Sequence, residues 1–189
     1  MIKKTIYLDY AATTPIDPKV LSAMLPYLKE NYGNASSVHS LGQKARAAIE
    51  ESRQKIASFL DCLPEEIIFT GSATESNNLT IKGVISALQR KKIKPCLITS
   101  QIEHHCVLDA SKAIKEKGIE TFFLPVEKNG FVKISEFKKT LARHKNSPVL
   151  ASIIYANNEI GVIQPIEKIS RIIKSENKKR ADSSQIYFH

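Results

Sequence analysis

Apolar residues recur at two spacings along this chain, and the alternation between the two sets its fold class. Ala45, Ala48, Ile49, Ser52, Ile56, Phe59 and Leu60 return at three- and four-residue intervals, with Lys44, Glu50, Glu51, Arg53 and Lys55 elsewhere around the axis. That period belongs to an amphipathic helix packed on one face. Upstream, Asp17-Pro18 opens a helix with proline at the first helical position, where its missing N–H costs nothing. This helix is expected to run toward Tyr32-Gly33-Asn34 and to bend at Pro26.

Further along, apolar runs and helical patterns take turns. Ile67-Ile68-Phe69 precedes a helix from about Ala73 to Gln89, and Cys96-Leu97-Ile98 precedes one from about His104 to Lys117. A strand over Thr121 to Val126, a turn at Glu127-Lys128-Asn129-Gly130, a helix from Ser135 to Arg143 with serine as N-cap, and a strand over Val149 to Tyr155 follow. After Pro165 a helix reaches about Glu176, and Ile186-Tyr187-Phe188 is a last apolar run. Strands that are continuous apolar runs between amphipathic helices are covered on both faces. The expected class is therefore α/β, a mainly parallel sheet with helices on both faces, and the expected count is one domain over residues 1–189.

Composition narrows the picture without moving it. Hydrophobic and charged fractions of 42% and 25% are those of an ordinary globular chain and exclude disordered and collagen-like classes. The longest apolar runs, such as Val149 to Ala156, fall well short of the ~20 residues of a membrane span, and Met1-Ile2-Lys3-Lys4 leads into no signal-peptide apolar region. A cytoplasmic address without membrane contact is the expectation. Cys62, Cys96 and Cys106 are odd in number and widely spaced, so reduced thiols are expected. The net charge of +9 is spread over helix faces and two short clusters, Lys91-Lys92-Ile93-Lys94 and Lys178-Lys179-Arg180, with no aromatics between. That pattern favours solvated surface charge over a nucleic-acid partner.

In parallel sheets ligands sit beyond the carboxyl ends of the strands, so the residues there are the candidates for chemistry. After Ile67-Ile68-Phe69 comes Thr70-Gly71-Ser72-Ala73-Thr74, opening a helix. Small residues at a helix N-terminus suit a phosphate, and Thr74 adds a hydroxyl; the same residues also make a plain turn with Thr74 as N-cap. The next strand leads to Glu103-His104-His105-Cys106. A histidine there can be a proton carrier or a plate against a planar ligand, or simply a surface residue at a helix start; a metal set is not formed, because no second ligand pair stands at helical spacing. The third run ends in Asn157-Asn158, suited to a ring hydroxyl or a carboxylate, or to ending a strand. Together the three segments suggest a phosphorylated planar cofactor.

The chain resembles the NifS/IscS-type cysteine desulfurases, of the class V aminotransferase family. Tyr7-Leu8-Asp9-Tyr10-Ala11-Ala12-Thr13-Thr14-Pro15, Asn34-Ala35-Ser36-Ser37 with His39, the segment Phe69 to Leu79, Glu103-His104 with Val107-Leu108, and Asn157-Asn158-Glu159-Ile160-Gly161 carry the resemblance in order. It implies the large domain of pyridoxal-phosphate (PLP) fold type I, here incomplete. It also implies pyridoxal 5'-phosphate as cofactor: Ala73 and Thr74 on the phosphate, His104 stacked on the ring and moving protons, Asn158 bonded to the ring oxygen. The implied reaction takes L-cysteine to L-alanine and leaves the sulfur on a mobile cysteine for an acceptor such as an iron–sulfur scaffold or a tRNA-thiolation partner, in a homodimer. Gly71-Ser72 reverses the Ser-Gly order common in the family.

Other features of the resemblance find no counterpart. The aspartate against the pyridinium nitrogen is expected just after Phe188-His189, and the covalent lysine and the persulfide cysteine further on. Asp182-Ser183-Ser184-Gln185 and His144-Lys145 imitate the missing residues but read as a turn and a helix end, and Cys62, Cys96 and Cys106, far upstream of where the resemblance puts the persulfide cysteine, are expected to be buried structural thiols. A fragment of a desulfurase is the first expectation; a selenocysteine lyase or small-substrate aminotransferase, and a non-catalytic remnant that binds a partner, are the alternatives. We expect these 189 residues by themselves to release no sulfide from L-cysteine. Sulfide formation by the purified chain at rates near those of a full-length relative would overturn this.

Overall fold

In the computed structural model, residues 6–91 and 93–189 are described; Met1-Ile2-Lys3-Lys4 and Lys92 of the first lysine cluster lie outside the described residues. The chain divides into two compact units, Met1–Phe69 and Thr70–His189.

The first unit is built on two helices. Helix α1, Pro18–Lys29, begins as its sequence requires: Pro18 takes the first turn and the Asp17 carboxylate accepts the Lys19 N–H at 2.7 Å. It stops before Tyr32, because the Glu30 and Asn31 N–H groups both close onto the Pro26 carbonyl. Helix α2, Ser40–Leu60, has His39 as N-cap, its Nδ1 accepting the Gly42 N–H at 3.4 Å, and ends where Asp61 turns left-handed at φ 54°. The apolar stripe read as packed is largely open: only Gly42 and Ala57 of α2 are buried, and none of α1. A unit this small has too few elements to cover both helices.

Ahead of α2 the Asn34–Ser37 loop folds tightly on itself. Asn34 Oδ1 accepts the Ser36 N–H at 2.9 Å, and the Ser37 N–H closes on the Asn34 carbonyl at 2.9 Å. This loop leaves no room for a side chain at Gly42, where a Cβ would stand 2.4 Å from the Ser37 oxygen and 2.6 Å from that of Asn34. The run Ile67-Ile68-Phe69 forms no strand, contrary to its apolar pattern. No strand pairs with it among the described residues; the Arg53 guanidinium instead bonds the Ile67 carbonyl and lies 4.9 Å from the centre of the Phe69 ring.

The second unit holds the sheet. Helix α3, Ala73–Arg90, is followed by β1, Cys96–Ser100; α4, His105–Glu116; β2, Glu120–Leu124; α5, Ile134–Arg143; β3, Val149–Ser152; the short β4, Ala156–Asn157, and β5, Val162–Ile163; α6, Ile166–Asn177; and β6, Ile186–Phe188. The order is β2-β1-β3-β6, all parallel, with Cys96 opposite Glu120 and Val149, and Val149 opposite Ile186. Side chains alternate across such a sheet. Cys96, Ile98, Val149 and Ala151 pack with Phe137, Leu141, Ile169 and Ile173 on one face; Leu97 and Leu150 pack with Ile81, Ile85, Val107 and Ile114 on the other. Desolvation in that core pushes the Cys96 thiol up to about 12.

Boundaries moved where backbone pairing ended. Lys133, not Ser135, is the N-cap of α5, and Ser135 lies inside its first turn. β3 stops at Ser152 rather than Tyr155, because the chain leaves the sheet to make the β4–β5 hairpin. Asp182–Ser184 is a single 3-10 turn and His144 the C-cap of α5, as their sequences indicate.

Replacing Gly42 with alanine should cost about 1–3 kcal/mol of stability, since backbone atoms and not a flexible side chain must give way. Urea unfolding followed by circular dichroism measures it, and an unchanged midpoint would refute the close packing.

Candidate functional site

The polar groups converge where the ladders of the second unit run out. Thr99 pairs with Ser152, and the ladder continues past Phe188, with the His189 N–H donating to the Ala151 carbonyl at 2.8 Å and its own carbonyl accepting from Ile153 at 2.9 Å. Ser152 Oγ then lies 3.0 Å from His189 Nδ1. A cleft of about 230 Å³ opens here, lined among others by Asn77, Glu103, His104, Ser152, Tyr155 and His189. Burial lowers the pKa of His189, so the neutral imidazole is favoured. Thr99 Oγ1 is buried beside this row without a hydrogen-bond partner among the described residues.

His104 reaches the cleft because it caps α4. Its Nδ1 accepts the Cys106 N–H at 3.2 Å, which in the neutral ring places the proton on Nε2. Cys106 Sγ is 3.0 Å from the same nitrogen and takes a hydrogen bond from Asn77 Nδ2, also at 3.0 Å. The expectation of buried structural thiols therefore holds for Cys96 but not for the other two: Cys62 and Cys106 are half-buried, and Cys106 touches His104. The helix start that makes His104 a cap also lifts Cys106 toward the ring. His105 is exposed, its ring edge-on to that of His104 at 6.3 Å.

Ser72, not Thr74, is the N-cap of α3. Its Oγ accepts the Glu75 N–H at 3.1 Å, while Glu75 Oε2 accepts that of Gly71 at 2.7 Å. The Ala73 and Thr74 N–H groups have no acceptor among the described residues and stand in the first helical turn, one turn ahead of Asn77.

The two asparagines part ways. Asn157 is buried: its Nδ2 donates to the Ile102 carbonyl at 2.7 Å, and its Oδ1 accepts the Glu159 and Ile160 N–H groups at 2.8 and 3.0 Å. Asn158 is exposed in the turn between β4 and β5 and is not among the residues lining the cleft. The structure thus brings His104 and the α3 side chain Asn77 together and leaves Asn158 on a neighbouring turn.

Sequence reasoning passed over Glu103. It is 7% exposed, and its Oε1 accepts from Ser100 Oγ at 2.5 Å and from the Ile154 N–H at 2.8 Å. Desolvation raises its pKa, and the bonds from Ser100 and Ile154 hold the rise back. An acidic residue within three positions of a buried strand end was the available signal; it is indistinguishable by pattern from a surface glutamate.

The aminotransferase class-V family model matches residues 6–189, and the chain belongs to that family. Within it, the chain is similar to the cysteine desulfurase IscS of Dictyoglomus turgidum, 46% identical over 188 residues that take in 100% of this chain and 44% of the relative. A solved NifS-like protein superposes with a TM-score of 0.85 at 38% identity, covering 97% of this chain and 48% of that one. SspA, solved in complex with cysteine, gives 0.84 at 33% identity, covering 97% and 50%. The chain spans less than half the length of the curated relative.

Because the raised Glu103 pKa means the folded state holds the proton more tightly, the contribution of this group to stability is present below its ordinary value and lost as pH rises through the raised one. Glu103→Gln cannot ionise and keeps a carbonyl acceptor. Its stability relative to the unmodified chain should therefore rise as pH rises above the ordinary glutamate range in urea unfolding; a difference that is flat with pH would refute the assignment.

Proposed function

We propose that this chain is part of a PLP-dependent cysteine desulfurase, which takes L-cysteine to L-alanine and passes on the sulfur. The observation that carries the reading is the pairing of unsatisfied donors with a histidine-capped cleft in one unit: the free Ala73 and Thr74 N–H groups on α3, and His104 over the cleft on α4. These residues fit a phosphorylated pyridine. The helix N-terminus, with about half a positive charge and two spare donors, suits the phosphate, and the cleft between His104 and the Ser152–His189 row suits a ring.

When bound, the cofactor supplies an electron sink for a carbanion. The chain's own part is to hold and orient. Ala73 and Thr74 would bind the phosphate; His104, with Nδ1 occupied by the Cys106 N–H, would present its face and its Nε2 proton; and Asn158, on the neighbouring turn, would bond the ring oxygen as the resemblance implies. The substrate reading is supported by the desulfurase name of the relative from Dictyoglomus turgidum and by the cysteine complex of SspA. A single domain across residues 1–189 and a cytoplasmic address, which rest on the pattern and composition of the chain, belong to the same proposal, as do a homodimer and an iron–sulfur scaffold or tRNA-thiolation protein as acceptor, which rest on the resemblance. No helix among the described residues is long and apolar enough to cross a membrane.

Pyridoxine 5'-phosphate, which has no aldehyde to react with surface lysines, tests the site. Thr74→Val and His104→Ala should each weaken its binding about tenfold, read by fluorescence titration; undiminished binding in both would remove the site. A chimera carrying residues 1–189 in place of the matching region of the Dictyoglomus turgidum relative tests the reaction. Sulfide release from L-cysteine supports it, whereas a folded chimera that only exchanges amino groups with a keto acid would favour an aminotransferase.

A further inference from the structure

We propose that Glu103 and Asn157 are positioning residues, which staple the loop before α4 to the segment after β3 and thereby set where His104 stands relative to the turn at 158–161. The assignment rests on the cofactor reading above and deepens it. β1 and β3 are neighbours in the sheet, but their pairing ends at Thr99 and Ser152. The two segments that leave them therefore have no ladder to fix their spacing, and two side chains take over.

Glu103 reaches across to the Ile154 N–H at 2.8 Å while anchored to Ser100 of its own strand, and Asn157 reaches back to the Ile102 carbonyl at 2.7 Å. The links run in opposite directions, one from each segment. Asn157 also shapes the turn on its own side, since its Oδ1 accepts from Glu159 and Ile160. Both residues are buried, at 7% and 8% exposure, so neither bond is shared with bulk water and neither partner group finds a ready substitute. Each staple residue also stands one peptide bond ahead of the residue it would place: Glu103 before His104, Asn157 before Asn158. A displacement of either side chain passes directly to a group assigned to the ring, and misplacements of that kind are costly at a preorganised site.

The test uses the 189-residue chain with isotopically labelled histidines and the variants Glu103→Ala, Glu103→Gln, Asn157→Ala and Asn157→Asp. The Glu103→Ala and Asn157→Ala changes should shift the His104 ring signal, leave that of His144 in place, and weaken pyridoxine 5'-phosphate about tenfold. Glu103→Gln, which keeps the acceptor for Ile154, should restore both readouts. An unmoved His104 signal in the folded variants overturns the proposal. If the alanine variants do not fold, Asn157→Asp decides, because it keeps the acceptor for Glu159 and Ile160 and sets a carboxylate oxygen in place of the donor to Ile102; a His104 signal unmoved in it is equally fatal. If the unmodified chain binds no pyridoxine 5'-phosphate, the cofactor reading fails, while the His104 signals still decide the positioning.

Discussion

Parallel pairing of β1 with β2 on one side and β3 on the other satisfies the backbone of five consecutive buried residues, Cys96–Ser100, and the rest of the second unit depends on it. A strand dry on both faces cannot leave an N–H or C=O unpaired without losing the worth of a hydrogen bond. It can take helices on each face, and does. α3 and α4 cover Leu97 and Leu150, α5 and α6 the opposite face. Chemistry is thereby excluded from the middle of the sheet and confined to its carboxyl edge, where the ladders end.

At that edge, and at other places where regular pairing stops, polar side chains take the place of backbone partners. Glu103 and Asn157 do so between the ends of β1 and β3. Gln164 does the same elsewhere, its Oε1 accepting the Val132 N–H and its Nε2 donating to the Gly130 carbonyl. Arg180 donates to the carbonyls of Leu141, His144, Ser147 and Ser184, closing off the end of α5. All but the Arg180–Ser184 bond are long-range, and all lie in partly or fully buried settings, where a lost partner is expensive.

Much of this was legible in advance. The apolar runs at Cys96, Val149 and Ile186 became strands; the first two are buried throughout, where a parallel strand needs little beyond a continuous apolar stretch, and the third is buried only at Ile186. His104 and the start of α3 stood out because helix starts beyond strand ends are where donors and ligands meet. The failures share one cause. Ile67-Ile68-Phe69 has the composition of a strand but no neighbour to pair with, and the α2 stripe has the period of a packed helix but little to pack on. Cys106 was read as a buried structural thiol, and Glu103 was given no role of its own, since both derive their roles from contacts with other segments.

By itself, then, the sequence determined the class of the fold, the family and the residues at the helix starts, because periodicity, capping and ordered motifs are properties of neighbouring positions. Only the tertiary structure decided which polar residues are buried together. Glu103 and Ile154 lie 51 positions apart, and Asn157 and Ile102 lie 55 apart. Their meeting depends on the register of β1 against β3, which no local pattern encodes.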